Sequence, residues 1–242
     1  MNDIKTIFED NNLIIIDKPA GVLVHPTQAK EKDTLVYWLL SKYPNIVKLN
    51  WPDLTRQGVV HRLDKDTSGL IILAKNPETL EKLQKQFQER EVKKTYLALV
   101  LGKVKPTEGK IEAMITRGET GLQKVLETTY SFSKEKIRPA VTVYKANKYY
   151  KYGDGDLTLV SAMPLTGRMH QIRVHLKHIG YPIIGDQLYN TKESRKLSKE
   201  LELNRQFLHA EKLELIHPIT DKIISLESKL AEDLKNILEK LN

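Results

Sequence analysis

The stretch HRLDKDTSG, residues 61–69, sets two carboxylates among cations within nine positions. Four of its residues fall at positions one, three, five and six of a calcium-binding loop: Asp64, Asp66, Ser68 and Gly69. Such a loop needs a bidentate Glu at position twelve. Position twelve here is Lys75, a cation, and an apolar run precedes it. The spacing therefore argues against calcium and leaves either a polar turn or a catalytic carboxylate.

Asp64 is the candidate for chemistry because it lies between Arg62 and Lys65. Neighbouring cations favour the ionised form of a carboxylate, and an ionised carboxylate can act as a nucleophile or a base. The competing interpretation is a structural Asp that caps a turn formed with the polar residues 66–68. On the local sequence alone, that structural interpretation is favoured.

A second segment, TGRMHQIRVHLKHIG at residues 166–180, changes this weighting. Its apolar residues recur at helical spacing, and Gly180 suits the end of a helix. Arg173 flanks the apolar stripe, so its cation should be partly buried and must find an anion or hydrogen-bond acceptors. Arg168 lies beside Gly167 at the helix start, where a phosphate could approach closely.

Histidine and amide groups add donors along the same predicted helix: His170, Gln171, His175 and His178. Zinc is a poor explanation for them. His170 and His175 are five residues apart, the His-Glu-x-x-His pattern is absent, and the chain contains no thiolate. We therefore predict no metal site, and a solvated basic helix remains the structural alternative.

Composition favours a polyanionic partner. The 242 residues include 39 Lys plus Arg against 31 Asp plus Glu, a net charge of +8, as expected for nucleic-acid binding. There is no Cys, which excludes disulfides and thiolate chemistry. The polar N-terminus and the lack of a run of ~20 apolar residues predict a soluble, cytoplasmic protein that does not enter a membrane.

The predicted elements alternate irregularly and include a hairpin. Strands are predicted at LIII, VLVHP, GLIILAK, KKTYLALVLGKV and LHAEKLELIHP, with a hairpin over residues 140–165. Helices are predicted after a cap at Asp33 or Thr34, after Asn76, through residues 169–179 and over residues 227–241. Residues 106–136 are hard to assign. The pattern indicates an α+β fold, a mixed, largely antiparallel sheet flanked by helices and loops.

Five blocks of this sequence resemble the RluA-type pseudouridine synthases. HRLDKDTSGLIILAK and GRMHQIRVHLKHIGYPIIGD are similar to the two long motifs of that family, and KPAGVLVHP, KKTYLALVLG and LHAEKLELIHP match shorter blocks in the same order. The matches cover roughly residues 5–218. The resemblance implies that Asp64 is the catalytic carboxylate and that the turn exists to present it.

The resemblance implies conversion of a uridine within RNA to pseudouridine. The base is flipped out, Asp64 attacks the ring or the anomeric carbon, and the detached uracil turns to bond through carbon 5. Such a reaction needs no cofactor and no metal. By resemblance, Arg173 pairs with the catalytic Asp, Tyr96 stacks on the uracil, and Arg62 fills the space left by the flipped base. Arg168, His170 and Gln171 are predicted to contact RNA.

The matching blocks begin within the first ten or so residues. We therefore expect one catalytic domain over residues 1–242, without the separate N-terminal RNA-binding domain of many relatives, acting as a monomer on ribosomal RNA, transfer RNA or both. One alternative is an RNA-binding protein of the same fold that has lost activity, although Asp64, Tyr96 and Arg173 are all present. A hydrolase would need a second carboxylate or a Ser–His pair, and neither occurs at convincing spacing.

Overall fold

The computed structural model describes residues 4–27, 31–118, 120–126, 137–153 and 155–242. Its strands are β1 (Lys5–Glu9), β2 (Leu13–Lys18), β3 (Ser68–Ala74), β4 (Lys93–Leu101), β5 (Glu108–Arg117), β6 (Gln123–Leu126), β7 (Arg138–Tyr152), β8 (Gly155–Pro164), β9 (Leu208–Ile216) and β10 (Ile223–Glu227). Its helices are α1 (Leu35–Lys42), α2 (Pro77–Glu89), α3 (Gln171–His178), α4 (Lys192–Glu200) and α5 (Glu232–Lys240), with a short 3₁₀ helix at Pro44–Lys48.

The chain forms two compact units, and the first is built from two separate segments, Met1–Lys94 and Ala210–Ala231. Its strands run in the order β1, β2, β3, β9 and β10. β2 pairs antiparallel with β3, with Ile15 opposite Ile72. Both strands are nearly continuous apolar runs with no exposed surface at those two residues, as expected for strands buried on both faces.

The second unit consists of Thr95–His209 and Glu232–Asn242. Its strands run in the order β4, β8, β7, β5 and β6. β7 and β8 form the predicted hairpin, with Tyr152 opposite Gly155 next to the turn. The registers within this unit are antiparallel. The expected α+β class with a largely antiparallel sheet is therefore confirmed.

Two helix starts follow directly from local chemistry. The Thr34 side chain accepts the Tyr37 N–H at the start of α1. The Asn76 side chain accepts the Thr79 N–H at the start of α2, whose first residue is Pro77. Such caps satisfy amides that the helix leaves without a partner. Of the two residues predicted to cap α1, Asp33 and Thr34, the cap is Thr34, and the predicted cap Asn76 is confirmed.

Several predicted elements differ from the structure. VLVHP is not a strand, because only a single parallel bridge joins Leu23 to Thr34. α4 was not predicted, and the unassigned stretch 106–136 contains β5 and β6. α3 begins only at Gln171, so Met169 precedes the helix, and His170 adopts a left-handed backbone with φ of 55°. Across the described residues, no helix is long and apolar enough to cross a membrane.

Within the first unit, a buried His–Asp contact joins the two segments of chain. His217 Nε2 lies 2.6 Å from Asp10 Oδ2. His217 Nδ1 accepts the N–H groups of Ile219 and Thr220, both at 3.1 Å. Because Nδ1 accepts, the ring carries its hydrogen on Nε2 and donates it to Asp10. The ring therefore acts as a rigid bridge between the β1–β2 turn and the β9–β10 turn.

We expect Asp10→Asn to lower the free energy of unfolding by about 1–2 kcal/mol at pH 7, since it replaces a charge-assisted acceptor. Burial raises the pKa of Asp10. Hydrogen bonds from the Leu13 and Asn12 N–H groups and from His217 together lower this pKa by more than burial raises it, so the net pKa is below its ordinary value. A carboxyl with a lowered folded pKa stabilises the fold above its unfolded pKa of about 4, and this is lost as the pH falls through the folded value.

Urea denaturation of wild type and Asp10→Asn from pH 7 to pH 3 tests this. The difference in unfolding free energy should be constant above about pH 4 and shrink below it. Glu81→Gln, at an exposed position on α2, serves as the control and should show no such difference. A gap between Asp10→Asn and wild type that stays constant down to pH 3 would contradict the assignment.

Candidate active site

The turn that carries Asp64 is fixed by hydrogen bonds to its backbone. The Thr67 N–H donates to the Asp64 carbonyl at 3.1 Å, which closes the turn immediately before β3. The next carbonyl, that of Lys65, accepts the Gly21 N–H at 3.0 Å and the Lys18 ammonium at 2.8 Å. The Asp64 side chain itself is half-buried. A loop held at successive carbonyls can present a carboxylate in one orientation.

Lys18 is the central element of this arrangement. Its side chain is fully buried, and its Nζ donates to the carbonyls of Pro19 at 2.8 Å, Val22 at 2.9 Å and Lys65 at 2.8 Å. An ammonium has three hydrogens, so three carbonyl acceptors match its donors. Lys18 therefore links the 19–22 turn to the turn that carries Asp64. Sequence reasoning assigned DKPAG only as a turn and missed this role.

We expect Lys18→Met to reduce turnover by at least tenfold and to lower the free energy of unfolding by about 2 kcal/mol, because buried carbonyls lose their donor. Met matches the length of the stem but cannot donate. Lys85→Met, at a side chain that is 71% exposed, is the matched control and should leave both quantities unchanged. Single-turnover assays and urea denaturation report the two effects. Unchanged turnover in Lys18→Met would show that the clamp does not position Asp64.

Tyr96 lies in the second unit, on β4, and is 8% exposed. In register it faces Ala162 of β8, and Ala162 in turn faces Tyr144 of β7. Residues directly opposite one another share a face of a sheet. The small Ala162 therefore lies between two tyrosines, with its side chain too short to cover either ring.

Arg173 is buried on α3, at 4% exposure, as the apolar stripe predicted. Its guanidinium makes a two-pronged ion pair with Asp186: Nε to Oδ2 at 2.7 Å and Nη2 to Oδ1 at 2.8 Å. Its central carbon also lies 5.1 Å from the centre of the Tyr189 ring. Asp186 is therefore an anionic partner of Arg173 that sequence reasoning did not identify, and the predicted pairing of Arg173 with Asp64 stays a prediction.

Asp186 is itself fully engaged. Its Oδ1 also accepts the N–H groups of Leu188 at 2.8 Å and Tyr189 at 2.9 Å. Burial raises the pKa of Asp186, but hydrogen bonding and charge from Arg173 and the two backbone N–H groups lower it more, so the net pKa is below its ordinary value. The carboxylate thus stays ionised and fixes one edge of the Arg173 fork.

Gln171 is buried at 4% exposure and its amide is used within the protein. Its Oε1 accepts from Thr166 Oγ1 at 2.7 Å and the Arg168 N–H at 3.0 Å. Its Nε2 donates to the Val141 carbonyl at 2.9 Å and Thr142 Oγ1 at 3.0 Å. This arrangement favours a positioning role at the start of α3, and its predicted contact with RNA stays a prediction.

Arg168 and His170 are only partly exposed. Arg168 Nε donates to the Pro139 carbonyl at 3.2 Å. His170 Nδ1 lies 2.9 Å from the Tyr189 hydroxyl, which accepts the Gln123 N–H at 2.9 Å. Tyr189 therefore contacts both His170 and Arg173.

The predicted residues fall in both units. Asp64 and Arg62 belong to the first unit, and Arg62 is exposed. The others belong to the second unit: Tyr96, Arg168, His170, Gln171 and Arg173. Their assembly into one active site stays a prediction. Among the residues that the structure describes, no group of three or more His, Cys, Asp or Glu side chains could hold a metal ion.

Comparison with known proteins gives the family. Residues 12–178 match the RNA pseudouridylate synthase family. Ribosomal large subunit pseudouridine synthase D of Buchnera aphidicola subsp. Schizaphis graminum is 37% identical over 97% of this chain and 72% of its own length. The protein of the same name from Nitrosomonas europaea is 40% identical over 98% of this chain and 64% of its own length.

A solved structure, human RNA Pseudouridylate Synthase Domain Containing 4, superposes with a TM-score of 0.73 at 26% identity over 98% of this chain and 92% of that chain. The chain therefore belongs to the RNA pseudouridylate synthase family. Members of this family are isomerases that convert uridine in RNA to pseudouridine. The chain spans about two thirds to three quarters of the length of the bacterial relatives named above.

Proposed function

We propose that this chain converts uridine to pseudouridine in large-subunit ribosomal RNA, with Asp64 as the catalytic carboxylate. The observation that carries the proposal is the clamped turn, in which a fully buried Lys18 and the Gly21 N–H both hold the Lys65 carbonyl next to Asp64. A turn that served only to reverse the chain would not need a buried ammonium, whose desolvation is costly. Such a clamp is consistent with a carboxylate, that of Asp64, that must be held in one orientation.

The proposed reaction conserves every atom of the uridine except one proton that is exchanged. Asp64 attacks the ring or the anomeric carbon, the bond between nitrogen 1 and the ribose breaks, and the uracil turns. Carbon 5 then bonds to the ribose, and the bond to Asp64 breaks so that the carboxylate is released. The carbon-5 proton is lost to solvent, and nitrogen 1 takes up a proton, which completes the product. The uridine must leave its stack first, which costs a few kcal/mol, and the exposed Arg62 is proposed to fill the vacated space.

Arg173 and Tyr96 are proposed as the partners of Asp64 in this reaction. Asp186 holds the Nε and Nη2 edge of the Arg173 fork, so a guanidinium contact with Asp64 would be made from the remaining Nη1 end. A planar fork with one edge fixed has a defined direction. Tyr96, whose neighbour on β8 is the small Ala162, is proposed to stack on the uracil.

The choice of ribosomal RNA rests on the relatives. Two bacterial proteins that this chain resembles at 37% and 40% identity are named ribosomal large subunit pseudouridine synthase D. The net charge of +8 suits a polyanionic substrate of either kind. Action on transfer RNA is the second possibility that the sequence leaves open.

The test is to incubate the purified protein with unmodified transcripts of large-subunit ribosomal RNA and, separately, of transfer RNA. Pseudouridine positions are then mapped by chemical labelling. We expect modification at defined uridines of the ribosomal transcript. Modification of transfer RNA alone would show that the proposed ribosomal substrate is wrong and that transfer RNA is the substrate. Binding of both RNAs without modification of either would support an RNA-binding protein that has lost activity.

A further inference from the structure

One lysine of the first unit stands apart from the contacts described above. Lys94 is half-buried, and its Nζ lies 5.3 Å from the centre of the Phe87 ring. Phe87 is stacked on His61, with ring centres 4.7 Å apart and planes at 24°. His61 lies three residues before Asp64. The ammonium is therefore anchored on the segment that leads into the catalytic turn.

His61 supplies no charge to balance this cation. Its Nε2 accepts the Ile72 N–H at 3.1 Å, so the ring is neutral and carries its hydrogen on Nδ1. Burial first and the charge of Lys94 second lower the pKa of His61 to about 3. The ring will therefore not become a second cation at neutral pH, and it is not an anion that could pair with Lys94.

The adjacent residue, Lys93, is a surface lysine that forms an ion pair, and it can be compared with Lys94. Lys93 is 77% exposed, and its Nζ lies 2.6 Å from Glu214 Oε1. Lys94 has no carboxylate within ion-pair distance in the described part of the chain. Burial lowers the pKa of Lys94 to about 8, so the side chain is still mainly charged at pH 7. Among the residues that the structure describes, Lys94 is a partly desolvated cation without a balancing carboxylate.

We infer that Lys94 binds a phosphate of the RNA backbone beside the target uridine. A partly dehydrated ammonium loses less hydration when it meets a phosphate than a fully exposed one does. The ammonium lies over the Phe87 ring, so part of the side-chain freedom is already lost before RNA binds. Phosphate contacts set the register of a nucleic acid on a protein. This inference rests on the proposed function, since it assigns Lys94 the placement of the RNA at Asp64.

The competing explanation is packing, in which only the aliphatic stem of Lys94 matters. Lys94→Met separates the two, because Met keeps an apolar stem over Phe87 and removes the charge. Lys94→Arg keeps the charge. Lys93→Met removes one charge from the neighbouring, exposed position and is the matched control. All variants are made with Asp64→Asn, so that binding is measured without turnover, and thermal melting confirms that each one folds.

The probe is a short RNA stem-loop with one uridine in its loop, and its affinity is measured across a range of salt concentrations. We expect Lys94→Met to weaken binding about tenfold at 0.1 M salt and to reduce the slope of log K against log salt by roughly 0.7–0.9, as for the loss of one phosphate contact. Lys94→Arg and Lys93→Met should stay within about twofold of the parent.

Neutral methylphosphonate linkages, introduced one at a time around the uridine, then locate the contact. At one linkage, the parent protein should lose as much affinity as Lys94→Met does, and Lys94→Met should lose nothing more. Equal affinity of Lys94→Met and Lys93→Met would overturn the inference. The inference would also be wrong if Lys94→Met bound RNA more weakly than the parent protein did at every neutral linkage. That result would indicate a contact between Lys94 and a base. Pseudouridine formation by the wild-type protein is scored separately, so failure of the proposed function is distinguishable.

Discussion

Asp64→Asn is expected to abolish pseudouridine formation while RNA binding persists. The amide nearly matches the carboxylate in shape but is neither a nucleophile nor a base at neutral pH. We expect the rate to fall at least a thousandfold, which corresponds to about 4 kcal/mol or more of activation free energy. Release of tritium from RNA labelled at carbon 5 of uridine measures turnover.

The structure makes this test cleaner, because the hydrogen bonds that fix the turn run through backbone carbonyls and the Lys18 ammonium. Asp64→Asn keeps these backbone hydrogen bonds, and its melting temperature is measured beside its turnover. Activity within tenfold of wild type, in a variant of unchanged stability, would rule out Asp64 as the catalytic group.

Asp186→Asn is expected to lower the free energy of unfolding by about 3–5 kcal/mol, because it leaves the buried Arg173 without its anion. Both side chains of this pair are nearly inaccessible, at 5% and 0% exposure. Arg173→Lys should also be damaging, since a lysine keeps the charge but cannot make the two-pronged contact. Urea denaturation measures the loss of stability in Asp186→Asn. Single-turnover rates measure the loss of activity in Arg173→Lys.

The chain supplies a matched control in the same unit. Arg205 pairs with Asp233 through the same two atoms of the guanidinium, at 2.6 and 2.8 Å, but Asp233 is 53% exposed. Asp233→Asn should therefore cost no more than about 1 kcal/mol. The double variant Arg173→Met, Asp186→Asn should recover part of the loss, since it removes the uncompensated charge. If Asp186→Asn proved as mild as Asp233→Asn, Asp186 would not be the anion that stabilises Arg173.

What the sequence predicted well has a local physical cause. Thr34 and Asn76 cap helices because their own side chains reach the first amides. Arg173 is buried because its position on the helix determines which neighbours cover it. The β7–β8 hairpin follows from strand propensity on each side of a Gly-rich turn.

What the sequence did not predict depends on contacts between distant residues. Lys18 and Lys65 are 47 residues apart, and a lysine in a polar turn is ordinarily solvated. Asp186 lies in a stretch that looks like an ordinary loop, and its partner is on a different element. α4 is almost wholly polar, and only a few of its residues are buried, so it shows little apolar periodicity.

The two-segment construction of the first unit has a consequence for synthesis on the ribosome. β2 and β3 emerge early, but β9 and β10 follow only after all of Thr95–His209 has been translated. Residues 75–207 separate β3 from β9, so at about 5–20 residues per second there are roughly 7–27 s in which the edge of β3 that β9 covers is open to other chains. Seven of seven β3 residues are buried in the finished protein, so the nascent chain carries an apolar edge strand. Its vulnerability to aggregation is therefore set by translation time as much as by final stability.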